Sequence, residues 1–443
     1  MEARDLIVTP ILLMVIACLA YFIRPKVTDQ ITRRYFFPAL AVKILGALAV
    51  GFIYQFYYNG GDTYNYHTHG SRHIWEAFVE SPTKGIQLLT SSDGNYENVY
   101  RYATKIIFYT DPASYAVVKT AAFFDLFTFS SYSATAICFA LLSFVGMWFF
   151  FLTFYEQYPT LHRGFALAAF FIPSVFFWGS GLLKDTLTLA CLGIATYTIY
   201  RIFIRKQFNP THIGLLLISL YILYSVKIYI LLTFLPASIV WVFLGNLQAI
   251  RSVVLRLMLA PFIITIAVGL GYLAMLKAGE DNAKYSLKNV AKTAQVTAYD
   301  IRYWTGRDAG SGYTLGELDG TFGSMIRLAP QAINVSLFRP YLWEVKNPLM
   351  LLSAVESLLL LLMSIYILFK TNIRGVKAMM NPNVVFALVF SIAFAFAVGV
   401  STFNFGTLVR YKIPLLPFFL VALILLWHHA KRDKNVEVLE RTE

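Results

Sequence analysis

Residues 131–154 read SYSATAICFALLSFVGMWFFFLTF, twenty-four positions without a single Asp, Glu, Lys or Arg. A bilayer core of ~30 Å is crossed by about 20 apolar residues in helical form, so this stretch is long enough to span and has no charge to bury. The rest of the chain agrees with it. Of 443 residues, 58% are of the AVILMFWYC set and only 14% are charged; a soluble domain is usually ~45–50% apolar and ~25% charged. That balance excludes an ordinary soluble enzyme, a disordered chain and, with three Cys, a disulfide-stapled secreted scaffold. The 37 Lys+Arg against 24 Asp+Glu give a net charge of +13, but the basic residues punctuate apolar runs, so a nucleic-acid surface is not expected. The fold class is an all-α polytopic membrane protein forming a single integral membrane domain over 1–443.

Reading outward on the same template gives about eleven spans. They lie near 6–23, 37–57, 131–154, 164–182, 185–204, 212–226, 228–246, 257–276, 348–369, 383–400 and 412–430. The pairs that meet at Lys184 and at Lys227 are divided because ~40 apolar residues overshoot any bilayer. Arg24, Lys26, Arg33 and Arg34 follow the first span, Arg163 the third, Arg201, Arg205 and Lys206 the fifth, and Arg251 and Arg256 the seventh. Lys370, Arg374 and Lys377 follow the ninth, and Lys431, Arg432 and Lys434 the last. Every second loop is basic, which places the N-terminus outside and the C-terminus inside. The first span, with its positive flank after the apolar run, reads as retained and not as a signal peptide.

Two long loops, 58–130 and 277–347, then fall on the outer face. In the first, IWEAFVE (74–80) and the 100–127 stretch have mixed helical spacing, as does 282–304 in the second, and each predicts interfacial helices. TGRDAGSGYTLGELDGTFGS (305–324) reads as a flexible connection. Cys18, Cys138 and Cys191 all lie in spans, share no CxxC spacing, and read as small packing residues.

Five outer connections each carry charge at or near the bilayer surface: Asp62 in YYNGGDTYNYH, Lys184 and Asp185 in PSVFFWGSGLLKDT, Lys227 in LYSVKIY, Arg339 in SLFRPYLWE, and Arg410 and Lys412 in NFGTLVRYKIP. Arg302, Arg307 and Arg327 share the second long loop. Snorkelling explains any one such cation. The whole set, accompanied by Asp62 and Asp185, fits an outward chamber in which cations hold a phosphate and a carboxylate takes a proton. Asp62 follows two glycines and is suited either to acid–base work or to capping a helix that starts at Thr63; Tyr64 and its neighbours offer stacking faces for a sugar. His67, His69 and His73 supply ligand types for a divalent metal, with His69 and His73 at i, i+4, but lack an HExxH context; they equally suit sugar hydroxyls.

An Asp shortly after a span, opening a long first outer loop, resembles the GT-C class of membrane glycosyltransferases and the related bacterial polysaccharide-polymerase membrane proteins. FIPSVFFWGSGLLKD (171–185) and NFGTLVRYKIPLLPFF (404–419) resemble elements of that group. The resemblance covers most of the chain in topology and only these segments in sequence. It implies a bacterial cytoplasmic (inner) membrane enzyme, a polyprenyl-phosphate-linked sugar as donor, and a glycan, lipid or protein acceptor at the outer face. Asp62 is then the base; Lys184, Lys227, Arg339 and Arg410 contact phosphate or donor; Asp185, Tyr64, His67 and Arg302 are acceptor or secondary positions. Many members carry two adjacent acids where this chain has Asp62–Thr63; Asp93, Glu97 or Asp185 are candidates for a second carboxylate, if one is needed. Lys43 and Glu356, charged within spans, pair with each other or serve a proton-coupled transporter. A polymerase or ligase, a flippase of lipid-linked glycans, and a structural membrane subunit are the rival readings.

Overall fold

The computed structural model describes residues 2–90, 98–247, 289–304 and 311–440, with backbone alone at 290, 301, 302, 304, 372–374, 376, 377 and 433–440. Among the described residues there is no β-strand, only an isolated antiparallel bridge between Gly312 and Asn404. Eight helices there are long and apolar enough to cross a membrane. The protein is therefore a polytopic helical membrane protein. Three differences separate eight from the eleven spans expected. The 257–276 segment lies outside the described residues. The 164–182 segment is not one helix: it comprises short helices divided by a π turn and an extended residue, Ile172. Finally, 212–226 and 228–246 count as one span of Pro210–Leu247, although they are two helical runs that meet at the non-helical Lys227 (φ −147°, ψ 78°), where the sequence divides them.

The chain divides into two compact units, residues 1–197 with 214–227, and 198–213 with 228–443. The first contains α1 (Ala3–Val27), α2 (Arg33–Phe56), α3 (Asp62–Tyr66), a π turn (His67–Ser71), α4 (Arg72–Glu80), α5 (Pro82–Thr90), α6 (Tyr100–Ala103), α7 (Pro112–Thr128) and α8 (Tyr132–Tyr155). It continues through α9 (His162–Ala166), α10 (Pro173–Trp178), most of α11 (Lys184–Ile199) and the first half of α12 (Pro210–Leu247). Local chemistry sets the ends. Asp111 caps α7 by accepting from the Ser114 amide, with Pro112 at the first helical position where its missing N–H costs nothing. Ser131 caps α8 in the same way, after Phe129 and Ser130 turn the chain through left-handed conformations (both φ 53°). The helices expected at 74–80 and within 100–127 are present as α4, α6 and α7, and α5 is one the sequence reading did not name.

Packing in this unit joins large rings to close backbones. Phe36 of α2 sets its ring edge-on against Phe144 (5.2 Å) and Trp148 (5.3 Å) of α8. Where α8 meets α11, a Cβ on Gly146 would lie 2.2 Å from the Ala190 carbonyl oxygen, and one on Gly193 would lie 2.1 Å from the Gly146 carbonyl oxygen. Only glycine permits this approach, the small-residue contact by which apolar helices gain dispersion energy without a hydrophobic drive from water.

The second unit holds the rest of α12 with α13 (Val290–Trp304), α14 (Phe322–Arg327), α15 (Ala329–Phe338), α16 (Pro348–Ala378), α17 (Pro382–Ser401), α18 (Phe405–Tyr411) and α19 (Leu415–Glu440). Trp241 stacks on Phe386 at 4.2 Å, and its indole N–H donates to Asn383 (2.8 Å) at the start of α17. The glycine-rich stretch, read as flexible, is tied down from Ser311 onward. The Tyr313 amide donates to the Phe403 carbonyl (3.0 Å) and the Phe405 amide to the Ser311 carbonyl (2.8 Å). Tyr313, Leu315 and Leu318 are buried beneath it. Glycine content alone does not free a segment whose alternate side chains find a core.

Gly146→Leu should force α8 and α11 apart and destabilise the protein by at least about 1–3 kcal/mol. A lowered unfolding midpoint in detergent checks this, and an unchanged midpoint would mean that the two backbones do not touch as described.

Candidate functional site

α2 ends at Phe56, and the chain reverses through Gly60 (φ 126°) and Gly61 (φ 119°) before α3 begins at Asp62. The cap position belongs to Gly61, whose carbonyl accepts from the Tyr64 and Asn65 amides, so Asp62 is not the helix cap that the alternative reading allowed. It is the first helical residue, half-buried, where the positive end of the helix favours a carboxylate.

Three of the sequence-chosen residues gather near it with one that sequence reasoning missed. The Lys184 ammonium, at the start of α11, lies 3.5 Å from the Asp111 carboxylate and also feels the charges of Lys227 and Asp62. Burial pulls the Asp111 carboxyl upward, yet hydrogen bonding from Ser114 and the Lys184 ammonium leave it below the ordinary range, so the carboxylate stays ionised at neutral pH and its contribution is lost as pH falls through that lowered value. Lys227 donates to Asp185, both nearly inaccessible (8% and 1% exposed). The kink in α12 is what delivers that ammonium: the backbone departs from helix at the residue whose side chain must reach α11. Asp111 carried a legible cap signal, Asp before Pro, but nothing local pairs it with Lys184.

Tyr64 and His67 take structural places. Tyr64 stacks on Tyr132 at 4.4 Å, and its hydroxyl donates to Gln55 (3.1 Å); burial and the Asp5 charge push the phenol up to about 12. His67 is completely buried, its Nε2 3.5 Å from Asp125, which in turn accepts from Thr135 (2.6 Å). His67 thus docks the π turn on α7, out of reach of a sugar hydroxyl. The π turn contains His69 in a non-helical conformation, so the i, i+4 geometry expected of His69 and His73 is lost. His73 instead lies 3.1 Å from Glu76. Among the described residues no three His, Cys, Asp or Glu side chains group at metal-binding spacing. Asp93 and Glu97 lie outside the described residues.

Arg339 and Arg410 belong to the second unit. Arg339 is held as a fork on Glu344, with two Nε contacts of 3.1 Å, and its guanidinium also lies over the rings of Phe405 (5.3 Å), Tyr313 (5.5 Å) and Tyr341 (5.8 Å). Glu344 sits low in pKa: burial raises it, and the hydrogen bonds from Arg339 and the Tyr341 amide, together with the Arg339 charge, more than offset that. Arg410 is in α18, partly buried, two residues before Lys412, which is fully buried. The Lys412 ammonium donates to the Arg339 carbonyl (3.2 Å) and to Ser357 (2.9 Å). Arg302 lies in α13, its side chain outside the described set, and Arg307 lies outside it altogether.

Lys43 does not need Glu356. Its ammonium donates to Ser143 (2.8 Å) and to the Gly179 (3.0 Å) and Val175 (3.4 Å) carbonyls, at the end of α10. A buried cation at a helix C-terminus satisfies carbonyls that have no intrahelical partner. Lys412 acts alike on Arg339, the residue that closes α15.

Removing one member of the buried pair, as in Lys227→Met, should cost about 3–5 kcal/mol by stranding the other charge, while the double change Lys227→Met with Asp185→Leu should recover much of it. Additive losses in a double-mutant cycle of unfolding midpoints would disprove the coupling. Comparison of the chain with protein-family models, with curated proteins and with solved structures gives no match.

Proposed function

We propose that the protein is a GT-C-type glycosyltransferase that moves a sugar from a polyprenyl-phosphate-linked donor to an acceptor hydroxyl at the outer face of a bacterial cytoplasmic membrane. The reading takes the N-terminus as outside and α4, α7 and α13 as helices near the outer interface; the alternation of basic loops supports that orientation. One observation carries it: the half-buried Asp62 carboxylate lies within electrostatic reach of the Lys184 ammonium, in a cluster that also brings together Asp111, Asp185 and Lys227.

In the proposed step the acceptor oxygen attacks the anomeric carbon while its proton passes to Asp62. The bond from that carbon to the phosphate oxygen breaks, and the phosphate departs with the electron pair, its charge balanced by Lys184. A single carboxylate supports direct displacement with inversion, by analogy with inverting glycoside hydrolysis. Preorganised cations in a pocket of low dielectric stabilise the leaving group most. Lys227 and Arg339 have a smaller part here than on a bare phosphate clamp, because Asp185 and Glu344 already engage them; they hold the shape of their regions. Arg410 stays assigned to the donor or acceptor, and Asp111 joins Asp62 as a further acid of the cluster, Asp185 being engaged by Lys227.

The test is a mass-spectrometric profile of lipid-linked sugars in a deletion strain carrying wild type or Asp62→Asn. General-base loss should lower transfer about 10²–10⁴-fold, so a monosaccharide carrier accumulates in both deletion and variant. Full rescue by Asp62→Asn would remove the base assignment. A complete but unpolymerised repeat unit would instead indicate a polymerase, and an unchanged profile would return the flippase and the structural subunit to the front.

A further inference from the structure

Below the charged cluster lies a cavity of about 340 Å³ between α7, α8, α11 and α12. On α11 it is lined by Leu187, Cys191 and Ile194, and on α12 by Leu215, Ile218 and Ile222. Lys184, Leu187, Cys191 and Ile194 follow one another at i, i+3, i+7 and i+10, so they share one face of α11. With a rise of ~1.5 Å per residue, the lining begins about 4.5 Å and ends about 15 Å along the axis from Lys184. An ammonium thus stands at one end of a face whose continuation is apolar.

Three properties define what fits there. The lining has no charged group; its two hydroxyls belong to Thr120, which already donates to the Ala116 carbonyl (2.9 Å), and to Ser219, and the remaining lining side chains are apolar or thiol. Apolar cavities of this kind stay dry and take apolar guests. The volume is about twice the ~150 Å³ of an apolar cavity that takes a benzene ring, so a hydrocarbon segment of about ten carbons is of a size to fit it. The lining also includes Val145 (44% exposed) and Ile218 (57% exposed), apolar residues on the outer faces of α8 and α12. Both helices are long and apolar enough to cross a membrane, so exposed apolar side chains at the edge of the cavity suit an entrance from the hydrocarbon.

We infer that this cavity holds the first ten or so carbons of the donor's own hydrocarbon tail, placing the donor phosphate at Lys184. The inference rests on the reading of the donor as a lipid phosphate and adds where its chain lies. One apolar slot in line with one ammonium selects an amphiphile with an anionic head and a single chain beneath it. Cys138 and Cys191 both border the slot, which gives their small, soft side chains a role in lining a hydrocarbon path.

The experiment uses the full chain in nanodiscs with dodecyl phosphate bearing a diazirine near the end of its tail, irradiated and mapped by mass spectrometry. Adducts should concentrate on 138–145, 187–194 and 215–222. Ile194→Trp or Leu141→Trp, which fill the slot, should lower them at least tenfold. Ile194→Ala, which enlarges it, should preserve them and serves as the control for folding. Lys184→Met, or replacing the phosphate by a hydroxyl, should lower them several-fold, and farnesyl phosphate should compete better than didecanoyl phosphatidylglycerol. Adducts spread over exposed helix faces, or insensitive to both tryptophan variants, would overturn the site. Better competition by the phosphatidylglycerol would overturn the donor as occupant in favour of a bilayer lipid. Binding that persists in Asp62→Asn, whatever its transfer activity, separates this site from the base assignment: loss of cavity labelling with transfer still dependent on Asp62 defeats the cavity alone.

Discussion

A backbone amide or carbonyl left without a partner in hydrocarbon costs several kcal/mol, and every other feature of this protein accommodates that constraint. Helix is the default along the chain because it satisfies the backbone internally. The informative places are those where helix stops, and there polar side chains supply what the helix no longer does. Lys43 donates to carbonyls at the end of α10, Lys412 to the carbonyl that closes α15, and the 311–313 and 403–405 segments exchange hydrogen bonds across a short bridge. Two of the charges that seem most expensive in an apolar chain are thus the devices that let helices end inside it.

The same economy governs the ion pairs. A buried charge persists only when paired and hydrogen-bonded, and three of the cations expected on phosphate each have a carboxylate: Lys184 with Asp111, Lys227 with Asp185, Arg339 with Glu344. They differ in burial. The Asp185–Lys227 pair is sealed and behaves as a fixed strut between α11 and the kink in α12. The Asp111–Lys184 pair is partly open, longer, and next to Asp62, so its ammonium can exchange one anion for another at smaller cost. The proposed function draws on the looser pair, and the tighter one holds shape.

How far the sequence could be read depended on the range of the interaction. Span positions around 6–23, 37–57, 131–154, 348–369 and 383–400 each match a single helix to within one residue of its ends or lie inside it, because hydropathy over twenty residues is a local property. The helix starts at Pro112 and Tyr132 follow from Asp-Pro and Ser caps, which are equally local. The 164–182 segment misled because its composition is apolar throughout, while Pro173 and an extended Ile172 interrupt the backbone without changing hydropathy. His69 and His73 misled for a related reason: a π turn adds a residue to the helical repeat and rotates one imidazole away from the other.

The sequence by itself determined the class of the molecule, the placement of most helices, and the collection of charged residues at the ends of apolar runs. Those follow from composition, period and caps, each written within a window of a few turns. It could not determine which charge answers which. Lys184 meets Asp111 across 73 residues, Lys227 meets Asp185 across 42, and Lys43 reaches Gly179 across 136. Those partners are chosen by how helices pack, at contacts as close as that of Gly146 with Gly193, and no local pattern encodes a contact between elements so far apart. Tertiary structure alone decided that His67 is a buried strut, that Lys43 caps a helix end, and that Asp62 has Lys184 and Asp111 for company.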